Sequence, residues 1–122
     1  MPRASNRTRN RINEHVLERA FERWGLYLSA QEIRELSLQI THARSIFINA
    51  ISHTRVQHIV VYKGTEIPVI YNKINKCIET IQTPEDLASW KRSYNYVKHT
   101  KAARKLLQEE EAGDSGMVRP PL

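Results

Sequence analysis

The chain is poor in the residues that build covalent or metal-held scaffolds. It has one cysteine, Cys77, so no intramolecular disulfide can form and no zinc site can rest on several thiolates. Asp86 and Asp114 are its only aspartates, which argues against a two-metal nuclease built on clustered Asp. There is no Walker loop, no dinucleotide glycine signature, no HExxH and no serine nucleophile elbow. Neither a metal nor a cofactor is therefore expected. No apolar run approaches the roughly 18 residues that a membrane span requires. The polar, Arg-rich N-terminus has no apolar h-region, so no secretory signal is expected and the compartment read from the sequence is a reducing cytoplasm.

What is present is positive charge. Across 122 residues, 19 Lys and Arg stand against 13 Asp and Glu, a net charge of +6. That balance speaks of partners rather than of fold, and it favours a polyanion over a small neutral substrate. The charge falls in three blocks, residues 1–28, 54–76 and 84–108, and the chain closes on the acidic run Glu109–Glu111 with Asp114. Arg3, Arg7, Arg9 and Arg11 lie within nine residues with no acidic neighbour, as in arms that contact backbone phosphate. The reading expects these separated cations to meet on one surface once the chain folds.

The periodicity predicts an α+β fold with two N-terminal helices, a three-stranded antiparallel meander and a C-terminal helix. Residues 1–8 read as a flexible arm, 9–111 as a single domain and 112–122 as a flexible tail rich in Gly and Pro. Ile12, Val16, Leu17, Ala20, Phe21 and Trp24 form a helical stripe that Gly25 ends. Ser29 and Glu32 form a capping box, and apolar residues from Ile33 to Ala50 continue at helical spacing, predicting one helix over about 30–51. The β-rich run Ile46-Phe47-Ile48 allows a break near 44. Three short β-type runs follow: Val56–Lys63, Glu66–Tyr71 and Lys76–Gln82. Lys63-Gly64 serves as a tight turn. Pro68 conflicts with a central strand, because it removes a ladder donor. Thr83-Pro84-Glu85-Asp86 opens the last helix, with Leu87, Trp90, Tyr94 and Val97 as its apolar stripe.

The chemistry left to such a chain works with His, Arg, Lys, Tyr and Thr. RNA cleavage without metal needs a base for the 2′-OH, an acid for the leaving oxygen and cations for the phosphate charge. His42, His53 and His58 lie near Arg44, Arg55, Lys63 and Tyr62 in the sequence, though an isolated histidine is more often structural. On an alternating strand His58 and Tyr62 share one face, and Arg55 and Lys63 the other. Tyr27, Tyr62, Tyr71, Tyr94, Tyr96, Trp24 and Trp90 are candidates for base stacking, but Trp24, Trp90 and Tyr94 sit on apolar stripes and read as core, while Tyr71 and Tyr96 read as freer.

The string Tyr62-Lys63-Gly64-Thr65-Glu66-Ile67-Pro68-Val69-Ile70-Tyr71-Asn72-Lys73, followed by Lys76-Cys77-Ile78-Glu79-Thr80, resembles the core hairpin of the barnase–EndoU–colicin–RelE group of small metal-independent ribonucleases, many of them toxins. The resemblance covers under half of the chain. It implies catalytic candidates at Lys73 and Thr80, with His53, Arg55 and His58 as the local acid–base and phosphate groups. Lys63, Lys76, Lys91, Arg92, Tyr96, Lys98 and Lys101 join the four N-terminal arginines as nucleic-acid-binding candidates. The function expected is a small basic protein that binds RNA or a nucleic-acid-processing complex, catalytic in one form as a metal-independent endoribonuclease of toxin type. The alternative is a non-catalytic modulator or inhibitor of a host nucleic-acid enzyme. Oligomeric state is left open.

Overall fold

A computed structural model describes the backbone of residues 6–117 and the side chains of residues 14–105. Eight elements follow in order: α1 (Asn6–Trp24), α2 (Ala30–Thr41), β1 (Ile46–Ala50), β2 (Arg55–Tyr62), β3 (Thr65–Asn72), β4 (Cys77–Ile81), α3 (Pro84–Trp90) and α4 (Tyr94–Met117). The four strands form an antiparallel meander in the order β1-β2-β3-β4. The fold is α+β, as expected, but with one more strand and one more helix than the sequence pattern suggested. Helical backbone takes in residues 6–8, read above as arm, and residues 112–117, read above as tail.

The extra strand comes from the second helix ending early. Both halves of the Ser29–Glu32 capping box form. At the far end Arg44 N–H donates to the Gln39 carbonyl at 2.7 Å and Ala43 N–H to the Ile40 carbonyl at 3.1 Å, with Ala43 at φ 57°. These two bonds and a left-handed residue make a Schellman stop. The chain then leaves the helix, and Ile46-Phe47-Ile48 pairs with β2 instead of extending α2. The apolar spacing over 43–50 mimics a helix by coincidence.

The single C-terminal helix is likewise two. Ser93 caps a fresh start: its hydroxyl accepts from Tyr96 N–H at 3.3 Å and its carbonyl from Val97 N–H at 3.0 Å. The stripe Leu87, Trp90, Tyr94, Val97 is therefore split. Leu87 and Trp90 pack inward, whereas Tyr94 and Val97 are exposed.

Each face of the sheet has its own core. Val56, Val60, Ile67, Val69, Tyr71, Ile78 and Ile81 pack under α1 and α2, against Val16, Ala20, Ile33 and Leu36. On the other face Ile48, Ile59 and Ile70 pack against Trp90, with Leu87 and Tyr96 at the margin. Apolar burial on both faces explains why β3 is almost wholly buried. A bulge in β4 serves this arrangement. Thr80 pairs with Ile70 and Ile78 with Tyr71, leaving Glu79 as the extra residue. Ile78 and Ile81, three apart, consequently share the α1/α2 face, and the strict alternation expected of this strand is broken.

Pro68 lies in β3 without a bulge of its own. Its carbonyl accepts from Gln82 N–H at 2.8 Å, just beyond the end of β4. In an extended strand a residue's N–H and C=O point to the same side, so the donor that proline lacks would have met the Gln82 carbonyl. That carbonyl instead accepts the Trp24 indole N–H at 2.7 Å. Arg23 beside it donates to the Ile81 carbonyl at 2.7 Å. The last turn of α1 thus supplies, through Trp24, the hydrogen bond that Pro68 cannot, and through Arg23 a second bond on the outer edge of β4.

The β2–β3 turn is the two-residue hairpin expected, with Lys63 at φ 47° and Gly64 at φ 81°. Positive φ at both central positions is the type I′ geometry that matches strand twist. Past the end of β1, the edge of β2 is covered by a side chain. Gln39 donates to the Val61 carbonyl at 2.7 Å and accepts from Val61 N–H at 2.9 Å, standing in for a strand.

Candidate nucleic-acid interface

The sequence-predicted cations occupy three places. The first is the end of the sheet where the β1–β2 loop meets the β3–β4 turn. Lys73 N–H donates to the Thr54 carbonyl at 2.7 Å, which ties the two connections together. Asn72, a buried side chain, organises the turn: its carbonyl oxygen accepts from Ile74 N–H and Asn75 N–H, both at 2.9 Å. Its amide donates to Glu79 Oε1 at 2.5 Å. Arg55 Nε donates to the other carboxylate oxygen of Glu79 at 2.7 Å. The β4 bulge turns Glu79 toward the face that Arg55 presents. His53, Lys73 and Lys76 are exposed around this pair, and Lys76 closes the turn at φ 54°.

Of the five catalytic candidates, His53, Arg55 and Lys73 therefore gather at this sheet end. Thr80 shares the Arg55 face but sits further along β4, opposite Ile70. His58 does not join them. It lies on the α1/α2 face, half-buried, with Nδ1 2.8 Å from the Ser45 hydroxyl. Its ring meets Phe47 and Tyr71 edge-on, at centroid distances of 5.6 and 6.3 Å. Burial pushes its pKa down to about 4, so it is a neutral, packed imidazole near neutral pH. Strand alternation separates His58 from Arg55 as expected, but not Lys63 from Tyr62: Lys63 lies beyond β2 in the hairpin turn, over the Tyr62 ring.

The second place is the hairpin turn and the α3–α4 corner. Lys63 stands 5.3 Å over the Tyr62 ring, whose hydroxyl donates to Glu32. That hydrogen bond holds the Glu32 carboxyl below its ordinary range and raises the Tyr62 phenol. Lys91 pairs with Glu66 at 3.0 Å and lies 5.7 Å over Tyr96. The hydrogen bond to Glu66 raises the Lys91 pKa. Tyr96 donates its hydroxyl to Glu66 at 2.9 Å, and desolvation raises its phenol. Tyr96 is thus a half-buried anchor rather than a free stacking ring. Tyr71 is also not free: it is buried, with its hydroxyl 3.1 Å from that of Thr41. Arg92 is exposed.

The third place is α4. Asn95 donates to the Ile48 carbonyl at 2.7 Å and Tyr96 holds Glu66, so the first turn is fastened to the sheet. From residue 101 to 105 every side chain is exposed, and Lys98 and His99 before them are as well. Lys98, Lys101, Arg104 and Lys105 project from this segment. The sequence does not single out Arg104 or Lys105, and it assigns Tyr94, one of the aromatics weighed for base stacking, to the core. The signal for Tyr94 and Lys105 is the spacing of Tyr94, Lys98, Lys101 and Lys105 at i, i+4, i+7 and i+11, which puts them on one helical face; Arg104 lies beside it.

The basic blocks do not all share a face. Helix α1 packs on one side of the sheet and α4 approaches β1 from the other. Arg7, Arg9 and Arg11 lie on α1, with side chains outside the described residues, and Arg3 lies wholly outside them. Among the described residues no group of three or more His, Cys, Asp or Glu is placed to hold a metal ion, and no helix is long and apolar enough to cross a membrane. No family model, curated protein or solved structure matches the chain.

Proposed function

We propose that the protein binds RNA, free or within a nucleic-acid-processing complex, through the cationic surface centred on α4. The observation that carries this reading is the segment from Leu87 to Gln108, which holds six Lys and Arg and no carboxylate and whose lysines at 98, 101 and 105 stand in solvent. Residues 101–105 of α4 are all exposed, so this stretch gains little from tertiary packing. A run of exposed cations there matches a polyanionic partner, whose released counterions drive association. A cytoplasmic site of action accords with the single cysteine. The test is an electrophoretic assay with labelled RNA in EDTA, scored for both shift and cleavage. A shift that fades steeply with salt supports the reading, and RNA that runs unshifted at low salt removes it.

A second reading is a metal-independent endoribonuclease of toxin type, favoured by the sheet end. There Arg55, held by Glu79, faces solvent beside Lys73, Lys76 and His53. Arg and Lys would hold phosphate oxygens, and His53 or Glu79 would move the 2′-OH proton. In the same EDTA assay this reading requires new fragments ending in 2′,3′-cyclic phosphate. A shift without fragments leaves RNA binding alone. Salt-insensitive association with a protein, and none with RNA, would instead indicate a modulator of a nucleic-acid enzyme.

A further inference from the structure

We infer that Tyr94 is a base-stacking platform, and that the ligand of α4 is a single-stranded nucleic acid laid along the stripe Tyr94, Lys98, Lys101 and Lys105. The inference rests on the nucleic-acid reading above and narrows its substrate. An apolar stripe in the sequence had suggested a core position for Tyr94, yet the ring is 76% exposed. Among the described residues its one hydrogen-bonding, ionic or ring contact is with Lys98, whose ammonium lies 5.8 Å from the ring centre. A ring this exposed, with one lysine ammonium beside it, offers aromatic surface to a base.

Helix geometry aims the stripe. At roughly 100° per residue, Tyr94, Lys98, Lys101 and Lys105 fall within an arc of about 60°. Tyr96, which holds Glu66, falls on the opposite side, and Asn95, which holds the Ile48 carbonyl, about a quarter-turn round from the stripe. The stripe therefore points away from the sheet, and it runs about 16 Å along the axis. One aromatic followed by three evenly stepped ammonium groups is what a base–phosphate chain requires: a π-face for an unstacked base and point charges for the phosphates that follow. A blunt duplex offers the same phosphates but keeps its bases stacked, so it would make no use of Tyr94.

The test measures fluorescence anisotropy of labelled oligouridine and oligothymidine 12-mers, a blunt duplex and heparin with the full chain and three variants. Tyr94→Ala and Tyr94→Leu should weaken binding of the single strands about five- to a hundredfold, the range seen when stacking rings are removed. Tyr94→Phe should stay within about twofold of the parent. Heparin has no bases, so none of the three variants should change its affinity. The stronger of the two single strands identifies the preferred sugar. Because Tyr94 is exposed, all three variants should melt with the parent, and Tyr94→Phe retains the ring if the truncations do not. If the parent binds the single strands and Tyr94→Ala binds them equally well, the inference fails while the nucleic-acid reading stands. Equal loss on heparin or on the duplex also overturns it. If the parent binds neither nucleic acid nor heparin, the nucleic-acid reading itself fails.

Discussion

Acidification should destabilise the protein through one residue. His58 sits among Ser45, Phe47 and Tyr71, all uncharged, and burial lowers its pKa from 6.5 to about 4. The unfolded chain takes up a proton at this imidazole near pH 6.5, whereas the folded chain resists until about pH 4. Between those values the unfolded state binds more protons, so stability falls as the pH falls. Linkage sets an upper bound of about 2 kcal/mol on the loss between pH 7 and pH 5, and solvent reaching the half-buried ring brings it to about 1 kcal/mol. Urea unfolding of the parent and of His58→Gln, at pH 7, 6 and 5, isolates this contribution from the carboxylates. The variant should be less stable at pH 7, because its side chain fills the space between Phe47 and Tyr71 poorly. Its disadvantage should shrink by about 1 kcal/mol at pH 5, where the parent carries the cost of a histidine that resists charging in place. A gap that stays constant across the three pH values would refute the reasoning. So would an imidazole proton resonance of His58 that titrates near 6.5 in the folded protein.

Three further outcomes follow from the backbone and the helix surface. Ala43 holds a left-handed conformation that costs an L-residue roughly 1–2 kcal/mol, so Ala43→Gly should raise unfolding stability by about 0.5–1 kcal/mol after the added freedom of the unfolded chain is subtracted. Trp24→Phe removes the donor that serves the Gln82 carbonyl beside Pro68. It should cost about 1–2 kcal/mol and speed hydrogen exchange at the end of β4. Replacing Lys98, Lys101 and Lys105 together by alanine should leave the melting temperature nearly unchanged, since all three are exposed. It should also flatten the slope of log affinity for single-stranded RNA against log salt by about 2, at roughly 0.7 per lost phosphate contact.

The features legible in the sequence were those written in local chemistry. The Ser29–Glu32 box and the run Thr83-Pro84-Glu85-Asp86 announced two helix starts; the first box forms, and Thr83 not only caps but completes a box with Asp86. Lys63-Gly64 announced a hairpin, and Gly25 an end to α1. Strand alternation separated His58 from Arg55 correctly. What escaped was set by backbone reversals that leave no strong mark. The stop at Ala43 uses a residue that seldom adopts positive φ, so the apolar spacing ran on and concealed β1. Ser93 is a good cap, but the apolar positions on either side of it kept helical phase and hid the break between α3 and α4. That break decided the aromatics: it buried Trp90, turned Tyr96 onto Glu66 and left Tyr94 in solvent. The Pro68 conflict needed the tertiary fold, because its remedy comes from Trp24, 44 positions earlier in the chain. The grouping of Arg55 with Glu79 depended on a bulge that strict alternation cannot foresee.

The central claim is that exposed cations of this chain engage a polyanionic strand. The most direct measurement is the affinity of the full chain for a labelled single-stranded RNA at a series of salt concentrations, in EDTA. The account predicts tight binding at low salt and a steep linear fall of log affinity with log salt, with a slope that reports several phosphate contacts. Affinity that does not change with salt, or no binding at the lowest salt, would contradict it.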